Sequence, residues 1–188
     1  MTEANHPWIA FYRHQAGDHR ERSLVEIWTM TFDELEQEHD FIQWLFPLPE
    51  PSPVNPHAPL LDEQVIAQAA SCDLVQENLL RSFDTMAAFW GFCRTEQNQI
   101  KPTAHYTTQA TKWCCPHNHN QLRISRMLRC LTLTGFTSLA ANTCEFLLAQ
   151  VDQNGLSLST VSAVPYWIDA ITDEAPQELT LDDFELPE

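Results

Sequence analysis

Glycine and basic residues are both scarce in this chain. Only 4 of its 188 residues are glycine, and no long stretch alternates apolar and polar side chains. Because a half-buried strand needs such alternation, the sequence argues against a β-sheet fold and predicts an all-α fold. Lysine and arginine total 10 against 26 acidic residues, which gives a formal net charge of −16. Such a charge repels phosphate groups, so neither nucleic acid nor an anionic membrane surface is expected as a partner.

Long apolar runs and targeting signals are also missing. No run approaches the ~18 apolar residues of a membrane-spanning helix. The first seven residues lack a basic segment followed by an apolar one. A cytoplasmic location is therefore expected. Free thiols in a reducing compartment are predicted in place of a disulfide framework. The cysteines are Cys72, Cys93, Cys114, Cys115, Cys130 and Cys144.

Helix signals cover most of the chain. Thr31 and Glu34 match a capping box, which predicts a helix that runs toward Trp44 and stops before Pro47. Six of the twelve prolines lie between Pro47 and Pro59, so this stretch is expected to be a connector. Further helices are predicted at 63–70 after the cap Asp62, from Ser71 to Gly91, at 105–113, 119–134 and 138–151, and from the cap Ser162 to Thr172, with a loop over 94–104.

Residues 1–172 are predicted to form a single-domain bundle of about seven helices. The 119–134 helix is apolar on two sides, with Ile124, Met127, Leu128 and Leu131 sharing one face, so it is expected near the centre of the bundle. The last 16 residues, 173–188, hold seven acidic residues and no basic one. This composition predicts an acidic, flexible tail.

Two arginines of the 119–134 helix are candidates for a buried or binding role. Arg126 falls between the two apolar faces and is predicted to be wholly or partly buried, where it needs a carboxylate and carbonyl partners. Asp40 and Glu36 are the candidate partners. Arg123 is predicted to be the more exposed of the two arginines. A structural ion pair and an anion-binding group in a pocket both remain open as interpretations.

A run of two thiols and two imidazoles is the sharpest metal candidate. Zinc needs four such ligands in a tetrahedral arrangement, and adjacent cysteines cannot easily bind one ion. A helix-capping turn, in which Asn118 caps the next helix, is the favoured interpretation. No cofactor and no metal is therefore predicted, although metal binding stays open for Cys114, Cys115, His117 and His119.

Motifs of known enzyme classes are missing from the sequence. There is no nucleophile elbow, P-loop, dinucleotide fingerprint or zinc-protease motif. The neighbours His39 and Asp40 are an acid–base candidate, but adjacent residues on a helix point about 100° apart. The chain is predicted not to be an enzyme. A reaction that uses His39, His119 and the arginines is kept as the alternative.

Two long motifs resemble the conserved region of the opioid growth factor receptor family. The first is HDFIQWLFPL at residues 39–48, followed by Asn55 and His57 in the proline-rich turn. The second is HNQLRISRMLR at residues 119–129. The resemblance implies a receptor-like helical domain. Animal members of the family are described as receptors for the peptide Met-enkephalin, whereas this chain resembles a short, stand-alone microbial member.

The resemblance and the helical wheel together suggest a ligand-binding site. We expect it where the Phe46–Asn55 turn meets the start of the 119–134 helix. With a net charge of −16, a basic or amphipathic peptide or protein is the expected partner. A structural interaction protein, such as a homodimer, is the further alternative. The predicted ligand-binding residues are His39, Gln43, Trp44, Asn55, His119, Asn120, Arg123 and Arg126.

Overall fold

The computed structural model describes residues 6–172, and within this range the chain is predominantly helical. The predicted tail, 173–188, lies outside the described residues. The helices are α1 Pro7–Tyr12, α2 Leu24–Trp28, α3 Phe32–Gln37, α4 Ile42–Leu45, α5 Glu63–Ala70, α6 Asp73–Trp90, α7 Tyr106–Gln109, α8 His119–Leu133, α9 Thr137–Gln153 and α10 Val164–Ile171. The strands are β1 Phe92–Arg94 and β2 Ile100–Pro102, and short 3-10 turns span Ala110–Lys112 and Leu158–Thr160.

The prediction of a mainly helical fold is confirmed, with two differences in detail. Ten α-helices in the described range replace the predicted seven or so. The additional helices α1, α2 and α4 have four to six residues and are too short to show a helical period in the sequence. An antiparallel hairpin also occupies most of the predicted 94–104 loop, with Phe92 opposite Pro102. Strands of three residues show no alternation to recognise.

The helix predicted from Thr31 toward Trp44 is broken in the structure. Its start is correct, since Thr31 and Glu34 form the capping box. The helix ends at Gln37, however, and Glu38 is extended at φ −81° and ψ 132°. A second short helix, α4, begins at Ile42. The four residues 38–41, here called the link, carry the first part of the HDFIQWLFPL motif.

Several other predicted helix ends are borne out, but the helix predicted at 105–113 ends at Gln109 and is followed by the 3-10 turn. Asp62 caps α5, and Gly91 ends α6 in the left-handed conformation at φ 91°. A Cβ at Gly91 would lie 2.8 Å from the Cα of Tyr106, so glycine is required there on two grounds. Ser162 does not cap the last helix. Its hydroxyl instead donates to the carbonyl oxygen of Pro116, and Ala163 stands at the helix start.

The central position predicted for α8 is confirmed. This helix packs against both α9 and α10, and the four residues of its predicted apolar face are fully buried. Burial of each such side chain contributes roughly 1.5–3 kcal/mol. The core as a whole holds several large rings, which include Trp8, Trp90, Trp113 and Trp167. The start of α8 and the motif 39–48 are therefore both anchored in one core.

Candidate functional site

The link between α3 and α4 is held from two sides by polar side chains. Arg123 on α8 donates to the carbonyl oxygens of Leu35 at 2.8 Å and Glu38 at 2.7 Å. On the other side, the Nδ2 atom of Asn55 donates to the carbonyl oxygen of Asp40 at 2.9 Å. Because side chains satisfy these carbonyl oxygens, the chain can leave the helix at Glu38 without unpaired buried acceptors.

Arg123 is buried, so the prediction that it is the more exposed arginine is wrong. Its side chain also donates to the Oδ1 atom of Asn120 and lies 3.1 Å from the Nδ1 atom of His39. Burial lowers its pKa to about 10, although the nearby carboxylate of Glu36 acts in the opposite direction. Four polar contacts within the protein favour a structural interpretation of this arginine. They leave few donors for a ligand.

Arg126 is half-buried and lacks the predicted carboxylate partner. Its Nη1 atom donates to the carbonyl oxygen of Phe46 at 3.2 Å, and burial lowers its pKa to about 10. Asp40 is instead bound by Arg20 and Arg22. Glu36, the other predicted partner, contacts His119. The wheel failed here because it places residues on one helix and contains no information about residues 80 or more positions away.

The start of α8 carries a polar cluster that faces Glu36 and His39. One carboxylate oxygen of Glu36 lies 3.1 Å from the Nε2 atom of His119, and the other accepts from Asn120 at 3.0 Å. Asn120 is fully buried and also accepts from the indole of Trp90. The rings of His39 and His119 are in edge contact at 5.3 Å. Burial lowers the pKa of His119, with a further contribution from the charge of Arg123.

A group of ion pairs on the opposite side of the link was not predicted. Arg22 binds the buried carboxylate of Asp18 and also Asp40, while Arg20 binds Glu38 and Asp40. Burial raises the pKa of Asp40, but hydrogen bonds from Arg22 and the charge of Arg20 outweigh that effect and lower it. Residues 18–22 precede α2 and have no periodic pattern, so only the folded chain reveals this role.

Trp44 belongs to a stack of three rings. The imidazole of His19 lies nearly parallel to the indole of Trp44 at 6.2 Å, and His57 lies nearly parallel to His19 at 5.4 Å. The Nε2 atom of His19 is 3.3 Å from the carboxylate of Asp40. Three buried atoms on or beside this stack have no hydrogen-bond partner among the described residues. They are Nδ1 of His19, Nε1 of Trp44 and Oε1 of Gln43.

The proline-rich stretch forms a closed loop, here called the proline loop, over residues 49–60. Its neck is closed by the amide of Leu61, which donates to the carbonyl oxygen of Leu48. Asn55 organises the interior of the loop. Its side chain donates to the carbonyl oxygen of Asp40 and accepts from the backbone amide of His57. Its own backbone amide donates to the hydroxyl of Ser52. Several apolar side chains of the loop nevertheless point outward. They are Pro51, Pro53, Val54, Pro56 and Leu60.

The candidate metal ligands contact separate partners. The thiol of Cys114 lies near the carbonyl oxygen of Gln150, and that of Cys115 near the carbonyl oxygen of His117. The ring of His117 bonds to Ser162, and His119 contacts Glu36. Among residues 6–172, no group of three or more histidine, cysteine, aspartate or glutamate side chains is arranged to hold a metal ion. Asn118 caps α8, as the capping-turn interpretation predicted.

Seven of the eight predicted site residues fall into two neighbouring groups on either side of the link, and Arg126 lies further along α8, where it donates to Phe46. The start of α8 lies against Glu36 and His39, not against the Phe46–Asn55 turn as expected. The turn instead meets α8 further along, where the Nη1 and Nη2 atoms of Arg129 donate to the carboxylate of Glu50. His39, His119, Asn120 and Arg123 form the first group. Gln43, Trp44 and Asn55 lie toward the second, together with the unpredicted His19 and His57.

Comparison with known proteins identifies one family. The model of the opioid growth factor receptor conserved region matches residues 8–182. The receptor from Rattus norvegicus is 32% identical over 178 residues, which cover 87% of this chain and 29% of that protein. The receptor from Homo sapiens is 32% identical over 153 residues, 77% of this chain and 22% of that protein. No solved structure matches the chain.

More distant relatives share the same region. Opioid growth factor receptor-like protein 1 from Mus musculus is 26% identical over 151 residues, 80% of this chain and 32% of that protein. The chain thus spans less than a third of the length of these curated relatives. In the described part of the chain, no helix is both long and apolar enough to cross a membrane.

Proposed function

Because the chain belongs to the opioid growth factor receptor family, we propose that it is a receptor-type binding module for a basic or amphipathic peptide or protein segment. The relatives are named as receptors, and a receptor has a ligand. The chemistry of the ligand is inferred from the surface of this chain. The exposed surface of the proline loop, described next, supports a binding role over a purely structural one.

The outward-facing apolar residues of the proline loop carry this proposal. Val54 is 58% exposed and Leu60 39% exposed, and both stand in one short loop. The carboxylates of Asp62 and Glu63 border them on exposed positions. An apolar surface bordered by negative charge complements a ligand with an apolar face and basic edges.

The loop is also well suited to binding because it is already ordered. The hydrogen bonds of Asn55 and the closed neck at Leu48 fix its backbone. Prolines further reduce the conformational freedom of the chain. A surface that is fixed before binding loses less entropy when a ligand arrives, so a small apolar patch can support measurable affinity.

Titration with designed peptides tests the proposal. The probes are an amphipathic helical peptide of leucine and lysine and the same peptide with glutamate in place of lysine. We expect the lysine peptide to bind and the glutamate peptide not to bind. Val54→Lys should weaken binding roughly tenfold, because it removes apolar contact and adds a like charge. Isothermal titration calorimetry gives the affinities.

Leu74→Lys is the matched control for this substitution. Leu74 is 42% exposed on α6, and the variant changes the net charge by the same amount as Val54→Lys. If both variants weaken the lysine peptide equally, the association reflects only the net charge, and the proposed site is wrong. A dimeric wild type that becomes monomeric in Val54→Lys would show that a second copy occupies the loop, which also contradicts the proposal.

We place a catalytic role second. The Glu36–His119 pair, with 3.1 Å between its facing atoms and a lowered histidine pKa, resembles an acid–base arrangement. Arg123 and Asn120 beside it are engaged in internal hydrogen bonds, which argues against their use on a substrate. A small molecule retained in native mass spectrometry would favour this second candidate.

We further propose that binding takes place in the cytoplasm. All six cysteines are free thiols. This state is typical of proteins in a reducing compartment. The proposal predicts that the protein keeps its fold in the presence of a thiol reductant, which circular dichroism can check.

A further inference from the structure

Trp44 is the exception among the six tryptophans of the chain. The other five indole nitrogens each donate a hydrogen bond to a named acceptor: Trp8 to Trp44, Trp28 to Ser82, Trp90 to Asn120, Trp113 to Trp90, and Trp167 to Gln121. The indole nitrogen of Trp44 has no partner among the described residues, although the side chain is only 6% exposed. A buried donor without a partner costs about 1–3 kcal/mol, so this nitrogen needs a partner beyond the described residues, and we infer that a ligand group supplies it.

The imidazole stacked on Trp44 carries a second unpaired nitrogen. The Nε2 atom of His19 lies 3.3 Å from the carboxylate of Asp40. This contact assigns the ring proton to Nε2 and leaves Nδ1 as an acceptor in the neutral ring. The Nδ1 atom is buried and has no partner in the described part of the chain. The stack therefore combines one free donor, on Trp44, with one free acceptor, on His19.

We propose that the Trp44–His19 stack is a subsite for uncharged amide groups, such as those of the ligand's peptide backbone. An amide carbonyl accepts from Trp44 and an amide N–H donates to His19, so a peptide backbone, which carries both groups, satisfies both nitrogens. A carboxylate offers no donor for His19 and meets the charge of Asp40. An ammonium group offers no acceptor for Trp44. The unpaired atoms thus select a neutral group that both donates and accepts.

The position of His57 connects this subsite with the proline loop. Its exposed imidazole stacks on His19 and belongs to the loop that carries Val54. We infer that rotation of this exposed side chain is the movement that admits a ligand to the stack. The inference rests on the proposed function, since it names the part of a peptide that the site would recognise.

Three small probes of similar size separate the chemistries. N-methylacetamide both donates and accepts, acetate only accepts, and methylammonium only donates. In nitrogen-labelled protein, we expect N-methylacetamide alone to produce saturable shifts of the Trp44 indole and the His19 Nδ1 signals. Equal shifts with all three probes, or no shift with N-methylacetamide, would overturn the proposal and indicate a site occupied by water only.

Matched variants assign the effect to the stack. Trp44→Phe and His19→Phe keep an aromatic ring and remove the polar atom, and each should weaken N-methylacetamide binding roughly tenfold. Trp28→Phe is the control, because that indole already donates to Ser82. Either stack variant serves alone if the other fails to fold. Unchanged binding in the folded variant would contradict the subsite.

These probes also distinguish the two proposals. Shifts with N-methylacetamide but no binding of the leucine–lysine peptide would leave the amide subsite in place and contradict the peptide function. Binding of the peptide with no change in His19→Phe would leave the function in place and contradict the subsite.

Discussion

The guanidinium of Arg123 works on the backbone of the link. It donates to two carbonyl oxygens on either side of the helix break and lies against the ring of Phe41. A buried charge with several good acceptors is stable. Loss of the guanidinium or of its acceptors leaves the remaining buried groups without partners. This arrangement explains why a cation stands on the side of α8 that faces HDFIQWLFPL.

Replacement of Arg123 should therefore act on stability. Arg123→Met keeps much of the side-chain volume but leaves the carbonyl oxygens of Leu35 and Glu38 unpaired, so we expect a loss of about 2–4 kcal/mol in the free energy of unfolding. Urea denaturation measures it. Arg94→Met is the control, because the exposed Arg94–Asp84 pair should contribute under about 1 kcal/mol. A comparable loss in both variants would contradict the structural role.

His119 should make the protein sensitive to mild acid. Its folded pKa lies below the ordinary value of 6.5 because of burial and the charge of Arg123. The unfolded chain then binds more protons as the pH falls below about 6.5, so the free energy of unfolding decreases over that window. His119→Gln should flatten this decrease, while the exposed His105→Gln should not. In His119→Gln, the free energy of unfolding should still decrease somewhat with falling pH, because burial also lowers the pKa of His6.

At the scale of elements, turns and short links place the site. The end of α6 at Gly91 directs the chain into the hairpin and then under α7, where the backbone of Tyr106 packs closely. The break between α3 and α4 turns the motif toward the 18–22 segment. The neck of the proline loop holds His57 over His19. Each of these features is short, and together they bring residues from distant parts of the sequence into contact.

Two of the three glycines that follow helix ends with a positive φ, Gly91 and Gly155, offer a matched comparison. Both have positive φ angles, at 91° and 75°, but a Cβ would meet Tyr106 at 2.8 Å only at Gly91, whereas nothing lies within 4 Å at Gly155. Gly155→Ala should cost about 1–2 kcal/mol from backbone conformation alone. Gly91→Ala should cost clearly more because the backbone must also move. Equal melting temperatures in a calorimetric scan would rule out the close contact.

At the scale of the whole molecule, the sequence predicted features that depend on neighbouring residues. It did not predict contacts between residues that lie far apart along the chain. Thr31, Asp62 and Asn118 were predicted as caps because a cap depends on residues two or three positions away. The exposure of Arg123 was predicted wrongly, because its burial depends on α3 and Glu38, which lie 85 or more positions earlier in the chain.

The same distinction applies to the candidate site. The motifs predicted one site that includes Trp44, Asn55 and Asn120, whereas the structure places Asn120 beside Glu36 and places Trp44 and Asn55 on the other side of the link. His19 and Arg22 had no sequence signal, because their segment shows neither a period nor a motif. Their roles arise only when residues 18–22 fold against the motif.

The central claim is that the proline loop is the binding surface, and chemical-shift mapping tests it most directly. The backbone amide signals of the labelled protein are recorded with increasing amounts of the leucine–lysine peptide. We predict the largest shifts at residues 50–62 and at the indole of Trp44, with little change along α9. Shifts spread evenly over the acidic surface, or largest on α9 and α10, would contradict the claim.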